Sequence, residues 1–591
     1  MQGPTWVVGL VGAVLVVAFV ACIAVGTGWA ALDLPISHTK ASDWDYQLTL
    51  LEACAQSWRA GVLPVWNPWT AGGVPLLANP ESPALHPLSV LAAWVHPATA
   101  TRVSYLLHMG LWCAGTLGLA RRWGAPALGL PVAMFALLST DVLVWRMAHG
   151  HTMMSQAAWI PVALWALTTP HKPVRGGVLA GLSIAAAAHG GGHYPAWMAA
   201  AVCMLWTVGS VLVPGSVRRR DGVVRLVTAG LVGGLVAAPK LVPVVLGAAA
   251  SARLRGPQQP LAMGDFGVWD ALGSVFVHSR LVPLGEAPGL HEGLPSWFSP
   301  LWAVLALVGV AALGRRRPVP ALVVAVAALV SMGHNLPVNV FGLLHGVPPL
   351  DRFRNPERWA MVWVPMVAAL SAVGLGRLPR VWQVLGLGLC GLTAAWSAPQ
   401  AMARTTIDQI TEDDFQRGVL VAPAAVEEPW RTNLESIGQG ERCRDCSDAL
   451  MHEAPPGLGL GPWTTEPAAV VLDYRPGRVV VVPAQGGPLV VPEWAAPGWQ
   501  ATDDGGAVVV ESSEGGLVQV AARAGVPVTL RFVPPGLGFG LGLGLLGLGL
   551  ALVLGWRGDP VLSRWMMGRT GADRTASAPA PGGQQAAKDC G

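Results

Sequence analysis

The stretch His38-Thr-Lys-Ala-Ser-Asp-Trp-Asp-Tyr-Gln47 is the first polar segment of the chain after a long apolar N-terminus. Residues 6–28 consist almost entirely of Val, Leu, Ala, Gly and Ile, with no Lys or Arg in front of them. That pattern fits a first transmembrane helix better than a cleavable signal peptide. Asp43 and Asp45 therefore follow directly after a membrane span. Ionisable groups at such a boundary indicate function, because burying them in or near hydrocarbon is costly.

The composition is that of an integral membrane protein. Of the 591 residues, 12% are charged and 52% are hydrophobic, whereas soluble domains carry about 25% charged residues. The net charge of +4 comes without a long basic run or a recognition motif. Nucleic acid is therefore excluded as an expected partner, and membrane lipids are expected instead.

Apolar segments of nearly 20 residues recur along the chain, and each predicts a membrane span. We expect about twelve spans and a mainly α, polytopic transmembrane helical bundle. The predicted spans are 6–28, 103–120, 125–145, 153–169, 176–190, 195–213, 225–248, 298–314, 318–333, 357–377, 381–398 and 535–556. Residues 1–398 then form a membrane core with a large first outer loop at 29–102.

The positions of Lys and Arg predict the orientation of the bundle. If the N-terminus is cytoplasmic, clusters such as Arg218-Arg219-Arg220 and Arg315-Arg316-Arg317 fall on the cytoplasmic side, as the positive-inside rule requires. Both termini are then cytoplasmic. The segments rich in polar residues share the opposite face, so we expect the chemistry on the extracytoplasmic side.

The C-terminal third differs in character. Residues 399–534 are too long for a connector, and short Val-rich runs between Gly, Pro and Asp turns predict a small extracytoplasmic β domain there. In this domain, Cys443 and Cys446 fit a short disulfide better than a redox motif, since no thioredoxin-like pattern surrounds them. The closely spaced glycines of the last span predict tight helix packing, and the composition of 557–591 predicts a disordered cytoplasmic tail.

Two kinds of charged residue suggest chemistry on the outer face. Asp43 or Asp45 fits a general base, because a carboxylate beside a water-lined cavity is ionised and within reach of a proton. The alternative is that they cap a following helix that runs to Arg59. Several outer arginines break the positive-inside bias and suit phosphate, or else are solvated charges or lipid-headgroup contacts; they are Arg253, Arg255, Arg352, Arg354 and Arg358.

Histidines also recur in the outer segments. His149, His151 and His193 are candidates for hydrogen bonds to a substrate, and the alternative is that they are ordinary loop or helix-end residues. Neither these nor the neighbouring His189 have HExxH spacing or a matching Cys set. We therefore expect no tightly bound metal and no cofactor.

The opening stretch, together with Gly61-Val-Leu-Pro-Val-Trp-Asn-Pro68 and Gly72-Gly-Val-Pro75, resembles the YfhO-type family of bacterial polytopic membrane proteins, among the GT-C glycosyltransferases. Two later stretches agree with this resemblance. One is Phe353-Arg-Asn-Pro-Glu-Arg-Trp359, and the other is Glu493-Trp-Ala-Ala-Pro-Gly-Trp-Gln-Ala-Thr-Asp-Asp-Gly505 followed by Ala524-Gly525 and Phe532-Val-Pro-Pro535. The resemblance covers nearly the whole chain in the expected order.

This resemblance implies an enzyme of the bacterial cytoplasmic membrane that moves a sugar from a polyprenyl-phosphate carrier to an acceptor in the cell envelope. An acidic residue of the first outer loop acts as the base in such enzymes, which corresponds to Asp43, or to Asp45 if the register shifts by two. Arg354 and Arg358 are the first candidates for binding the phosphate, and Arg253 and Arg255 are the second. At His291-Glu-Gly293 the sequence departs from the family pattern, so no role is carried over there.

Two other function classes compete with sugar transfer. A transporter or flippase of lipid-linked glycans predicts an internal repeat or ionisable pairs near mid-membrane, and neither pattern is clear in the sequence. A non-catalytic scaffold that holds envelope partners through the β domain predicts that both aspartates are replaceable.

Overall fold

The computed structural model describes residues 43–70, 72–140, 142–143, 146, 150–170, 172–213, 219–248, 300–314, 317–333, 338–345, 355–403, 424–425, 441–442 and 465–570. Within these ranges the chain is mainly helical, with a small β domain near the C-terminus. The first predicted span, 6–28, lies outside them.

The helices follow the apolar segments of the sequence. In chain order they are α1 (Asp43–Arg59), α2 (Pro87–Leu91), α3 (Pro97–Trp123), α4 (Leu130–Ser139), α5 (Trp159–Leu167), α6 (Pro173–His189), α7 (His193–Leu212), α8 (Arg219–Ala248), α9 (Pro300–Leu313), α10 (Val319–Ser331), α11 (Val340–His345), α12 (Ala360–Leu375), α13 (Arg380–Ala403) and α14 (Leu537–Thr570). Short 3-10 turns at Thr152–Ala158 and Pro356–Trp359 lead into α5 and α12.

Five helical segments of the described residues are long and apolar enough to cross a membrane, judged by length and composition. They are Pro97–Trp123, His193–Leu212, Arg219–Gly247, Pro356–Leu375 and Leu537–Trp556. Other predicted spans contain shorter helices, among them α4, which ends at Ser139 although span 125–145 was expected to continue. Thr140 there adopts an extended backbone and its hydroxyl donates to Leu137 O at 2.8 Å. The expected number of twelve spans stays a prediction.

Local signals set the ends of α3. His96 precedes it, and its Nδ1 accepts the backbone N–H of Ala98 at 3.2 Å, while Pro97 occupies the first helical position, where no N–H is needed. Gly124 ends the helix in the left-handed conformation, with φ at 97°, which glycine adopts without strain. These caps fix where the polar loop before α3 meets the bundle.

Glycines allow pairs of helices to approach backbone to backbone. A side chain at Gly309 of α9 would meet Leu370 O at 2.1 Å, and one at Gly374 of α12 would meet Leu305 O at 1.8 Å. Small residues at such crossings are the usual basis of helix packing in lipid. The bundle core therefore requires glycine at both positions.

The last helix packs as its glycine spacing predicts. A side chain at Gly540 would meet Ala238 O of α8 at 2.7 Å, and one at Gly547 would meet Leu235 at the same distance. The helix continues to Thr570. The boundary expected at 556 thus lies inside α14, and residues 557–570 are helical rather than part of a disordered tail.

The β domain contains two antiparallel sheets. The strands of these two sheets are β5 (Ala469–Arg475), β6 (Arg478–Pro483), β7 (Gly487–Trp494), β8 (Trp499–Asp503), β9 (Gly506–Val508), β10 (Val510–Ser512), β11 (Leu517–Ala522) and β12 (Val528–Phe532). Two further short sheets pair β1 (Trp66–Asn67) with β2 (Val74–Pro75), and β3 (Ala424–Ala425) with β4 (Glu441–Arg442). The strand orders are β5-β6-β12-β8-β9 and β10-β11-β7. The predicted β-rich runs included neither β7 nor β8. β7 holds Pro488 and Pro492, and it lies at a sheet edge, where proline is tolerated.

The β domain and the loop between α1 and α2 share one hydrophobic core. Trp66 of the loop is fully buried and contacts the rings of Trp499 and Phe532, at centroid distances of 5.0 and 4.5 Å. Its Nε1–H donates to Glu493 Oε2 at 2.9 Å, and Tyr474 donates to the other oxygen of the same carboxylate at 3.2 Å. The loop is thereby fixed to the β domain through a buried hydrogen-bonded carboxylate.

Replacing Trp66 by Phe should destabilise this junction, because Glu493 loses a donor while staying buried. Losing one partner of a buried charged group costs about 1–3 kcal/mol, so we expect the thermal midpoint of the full chain in nanodiscs to fall by several degrees. Trp94, which is 80% exposed, is the matched control, and W94F should leave the midpoint unchanged. Equal midpoints for both variants would contradict a stabilising role for the Trp66 hydrogen bond.

Candidate functional site

A polar cleft opens where α1, the loop that leads to α2, the start of α3 and the turn Thr152–Ala158 meet. It encloses about 450 Å³ of space, including its open mouth. Its polar lining consists mainly of Gln47, Glu81, His86, Ser104, Thr152 and Gln156. These residues come from four separate segments, so the cleft exists only in the folded chain.

Gln47 connects two walls of the cleft. Its Nε2 donates to Glu81 Oε2 at 2.9 Å, and its Oε1 accepts from the Thr152 hydroxyl at 3.1 Å. Both ends of the amide are therefore used, which fixes the side chain of Gln47 and holds the Glu81 carboxylate at the cleft wall.

His86 forms a further part of the wall, and His108 lies against it. The rings of His86 and His108 stack at 5.9 Å. Nδ1 of His108 donates to Ser104 O at 2.7 Å, because a carbonyl oxygen only accepts, and its Nε2 lies 3.1 Å from Oε1 of Gln156. Burial, followed by repulsion from His108 and His189, lowers the pKa of His86 to about 3. The His86 ring is therefore neutral at physiological pH, and its Nδ1 accepts the Leu88 N–H that begins α2.

The motif His189-Gly-Gly-Gly-His193 has a packing role. A side chain at Gly191 would meet Glu81 O at 2.1 Å, and one at Gly190 or Gly192 would meet the Gln156 side chain at 2.3 or 2.4 Å. Gly191 also has φ at 79°, which favours glycine. The three glycines thus let the α6–α7 connection lie directly against the cleft wall.

A buried lysine fixes the loop that carries Glu81. Lys240 of α8 is 1% exposed, and its Nζ donates to Leu77 O, Asn79 O and Ser82 O at 3.1, 2.5 and 2.8 Å. All three donors of the ammonium group are satisfied by one turn of the loop between α1 and α2. Lys240 therefore holds the turn in place without lining the cleft itself.

Arginines and histidines extend from the Thr152 side of the cleft. Arg146 contacts Nδ1 of His151 at 3.5 Å and the Glu357 carboxylate at 3.9 Å. The next residue, Arg358, lies 4.6 Å over the ring of Tyr194, and the His193 ring lies 4.5 Å from the same ring. The network thus contains two guanidinium groups, those of Arg146 and Arg358, and the Glu357 carboxylate.

The structure thus brings together three of the predicted substrate contacts, His151, His193 and Arg358, through this network. Asp43 and Asp45 lie in the first turn of α1, and their side chains lie outside what the structure describes. The same holds for seven other residues named from the sequence: Arg253, Arg255, Arg352, Arg354, His149, Cys443 and Cys446.

Sequence reasoning missed Glu81, Gln156 and Lys240. Glu81 lies in a loop between Pro80 and Pro83, where a carboxylate gives no periodic signal. Lys240 did give a signal, because a lysine inside an otherwise apolar helix needs a partner. Within the described ranges, no three His, Cys, Asp or Glu side chains gather in the manner of a metal site.

Comparison with known proteins gave few matches. No protein-family model and no curated protein matches the chain. A search of solved structures matched the arabinofuranosyltransferase AftD from Mycobacteria, with a TM-score of 0.48 and 15% sequence identity. The match covers 87% of this chain and 40% of that chain, so this chain spans less than half the length of AftD.

Replacing Lys240 by Met should open the turn that carries Glu81, because three buried carbonyls lose their donor. The readout is Cys54, which is fully buried 3.7 Å from the Ser82 hydroxyl and whose pKa is raised to about 12 by burial. Contact with water returns the thiol towards its ordinary pKa of about 8.5, so alkylation of Cys54 at pH 7.5 should speed up at least ~10-fold. The exposed Lys172 supplies the control K172M; an unchanged Cys54 rate in K240M would contradict this role for Lys240.

The neutral His86 predicts acid sensitivity. Its pKa in the folded chain, about 3, lies below the unfolded value of about 6.5, so the unfolded state binds the proton first and stability falls as the pH drops from 6.5 towards 3. The loss at pH 5 is about 2 kcal/mol. His86→Asn keeps a capping acceptor without titrating, so its thermal midpoint should fall less than that of wild type between pH 7 and pH 5.

His96→Asn is the control for this experiment, since it also replaces a cap imidazole by an amide and shows what that exchange does to the midpoint at pH 7. Parallel curves for wild type and His86→Asn over the whole range would mean that His86 protonates as easily in the folded chain as in the unfolded one.

Proposed function

We propose that the chain is a membrane glycosyltransferase that moves a sugar from a polyprenyl-phosphate carrier to a cell-envelope acceptor outside the bacterial cytoplasmic membrane, with Asp43 as its base. The resemblance of the first outer loop to YfhO-type proteins suggests this reaction. The observation that carries the proposal is the phase of α1 relative to the polar cleft.

Positions four apart share a face of an α-helix. Gln47 and Leu51 both line the cleft, and Asp43 is one turn before Gln47 on the same face of α1. Asp45 is two residues from Gln47, about 200° around the helix axis. The helix phase therefore favours Asp43 over Asp45 as the carboxylate at the cleft.

In the proposed reaction, the Asp43 carboxylate takes the proton from an acceptor hydroxyl. The freed oxygen forms a bond to the anomeric carbon while the bond from that carbon to the phosphate oxygen breaks, and the phosphate leaves with the bonding pair. The configuration at the anomeric carbon is inverted. Cations that face the departing phosphate lower the barrier, and the guanidinium groups of Arg146 and Arg358 suit that task.

The remaining predicted residues keep proposed roles. Arg354 belongs to the same segment as Arg358, and Arg253 with Arg255 are further phosphate candidates. His151 lies next to Thr152 at the cleft, and its ring meets Arg146, so it stands between the two halves of the proposed site. His149 and His193 remain candidate contacts to sugar or acceptor.

Transport of a lipid-linked glycan is a weaker proposal. An ionisable residue inside an apolar helix is the usual mark of a transport path, and Lys240 is such a residue. Its three hydrogen bonds all go to one turn of the outer loop. That arrangement is typical of a structural anchor rather than a mobile carrier of charge.

The test is transfer of labelled sugar from polyprenyl-phosphate donors by the full chain in nanodiscs. D43N should lower the transfer rate by about 10²–10⁴, the usual contribution of a general base, while still binding donor. D45N is the matched control and should retain transfer. A D43N rate equal to that of wild type would sink the assignment of the base, and no transfer by wild type with any donor would sink the proposed function.

A further inference from the structure

The segment between Glu81 and Arg102 carries no charged side chain. Residues 82–101 include no Asp, Glu, Lys or Arg, although hydropathy places them in a loop before a span rather than in the span. A water-facing segment of this length would hold about five charged residues at the composition of soluble domains. Its two histidines, His86 and His96, each accept a backbone N–H through Nδ1, so that nitrogen is unprotonated in both rings.

One side of α2, which lies in this segment, packs on the protein. Its helical turns continue beyond Leu91, because the N–H groups of Trp94 and Val95 both donate to Leu91 O, at 2.9 and 3.1 Å. Ala92 is fully buried in an apolar cluster with residues of α1 and α3, and Leu91 and Val95 pack against that cluster. This side of the helix is therefore fixed to α1 and α3.

The other side of α2 exposes large apolar side chains. Val90 is 42% exposed, and Trp94 is more exposed still. The two residues are four positions apart in continuous helical turns, so they share a face. Exposed apolar surface of this kind marks contact with a membrane or with another protein.

The position of Trp94 favours the membrane. Trp94 precedes Pro97 by three residues, and Pro97 begins α3, which is long and apolar enough to cross a membrane. Further along α3, Leu107 is 57% exposed, as expected of a side chain that faces lipid. The apolar face of α2 thus lies at the end of a lipid-facing helix, at the level where tryptophans are enriched in membrane proteins.

We propose that Val90 and Trp94 insert into the headgroup region of the leaflet at which α3 begins, and that they anchor α2 to the membrane surface. Tryptophan suits this depth because its indole combines an apolar ring with an N–H donor. Valine beside it adds apolar area without a group that needs a hydrogen bond. The occupant of this face is therefore a lipid surface.

The anchor bears on the cleft because the same helix contributes to both. His86 and Leu88 line the polar cleft, and Leu88 is two residues from Val90, about 200° around the helix axis. α2 therefore stands between the cleft and the lipid, and its anchoring holds the cleft at headgroup depth. The inference goes beyond the proposed function, since it holds whether or not the chain transfers sugar.

The test measures the depth of α2 directly. In the full chain in nanodiscs, a cysteine replaces Val90 and carries an NBD fluorophore; the four free cysteines of the described ranges are buried, and wild-type labelling is subtracted. Insertion by about 5–10 Å should shift the NBD emission to the blue. Lipids with a nitroxide near the headgroup end of the acyl chain should lower this emission more than lipids with a nitroxide at the far end.

Two controls accompany this measurement. Val509, between β9 and β10, is 72% exposed, and NBD on V509C should keep the emission typical of water and stay unquenched by either lipid. In the V90C background, W94D should lose most of the lipid quenching, whereas W94F, which keeps an apolar ring, should retain it.

Water-like, unquenched emission at V90C would overturn the inference, as would equal quenching at V90C and V509C or undiminished quenching in W94D. Shielding of V90C from aqueous iodide without quenching by either lipid would overturn it as well, because a second copy or another protein would then cover this face. None of these readouts requires sugar transfer, so failure of the proposed function leaves them unchanged.

Discussion

The ammonium group of Lys240 is the contact on which the geometry of the site depends. The Lys240 side chain extends from the apolar helix α8, and its ammonium group donates to three carbonyls of the turn that carries Glu81. A lone cation in such a helix would be very costly, and the same carbonyls would be costly if left without donors. The hydrogen bonds between the ammonium group and the carbonyls offset the cost of burying both, so the turn has one low-energy position relative to α8. The hydrogen bond from Gln47 to Glu81 links this fixed turn to α1, and so sets the positions of two walls of the polar cleft.

Sequence patterns located the helices well and their ends less well. Apolar runs predict where a helix must lie, because unsatisfied backbone groups are excluded from lipid, and each predicted span within the described ranges contains a helix. Hydropathy does not encode termination, which depends on local bonds such as that of Thr140 to Leu137 O. Edge strand β7 was missed because proline lacks a backbone N–H and is therefore costly only where that N–H would face a neighbouring strand. The fold decides which side of β7 has a neighbour, and the local sequence does not.

The site was predictable only in part. The acidic pair and the histidines stand out in the sequence because charged or polar residues at span ends are uncommon, and His151, His193 and Arg358 do lie in one network. Glu81 gave no such signal, since its position depends on a hydrogen bond from Gln47 and on the anchoring of its turn by Lys240. Lys240 is more than 150 positions away in the sequence. The triple glycine was visible, yet its meaning depends on two partners, Glu81 and Gln156, that only the fold brings near.

The hydrogen bond between Trp66 and Glu493 joins positions 427 residues apart. Contacts of such long sequence separation form late, since the entropy of closing the intervening chain must be overcome before they contribute. During synthesis the loop between α1 and α2 leaves the ribosome long before the β domain does. Until the β domain is complete, the surface that buries Trp66 is missing. Maturation of the cleft is therefore tied to completion of the chain: a truncated or stalled product would carry the residues of the site without a finished wall around them.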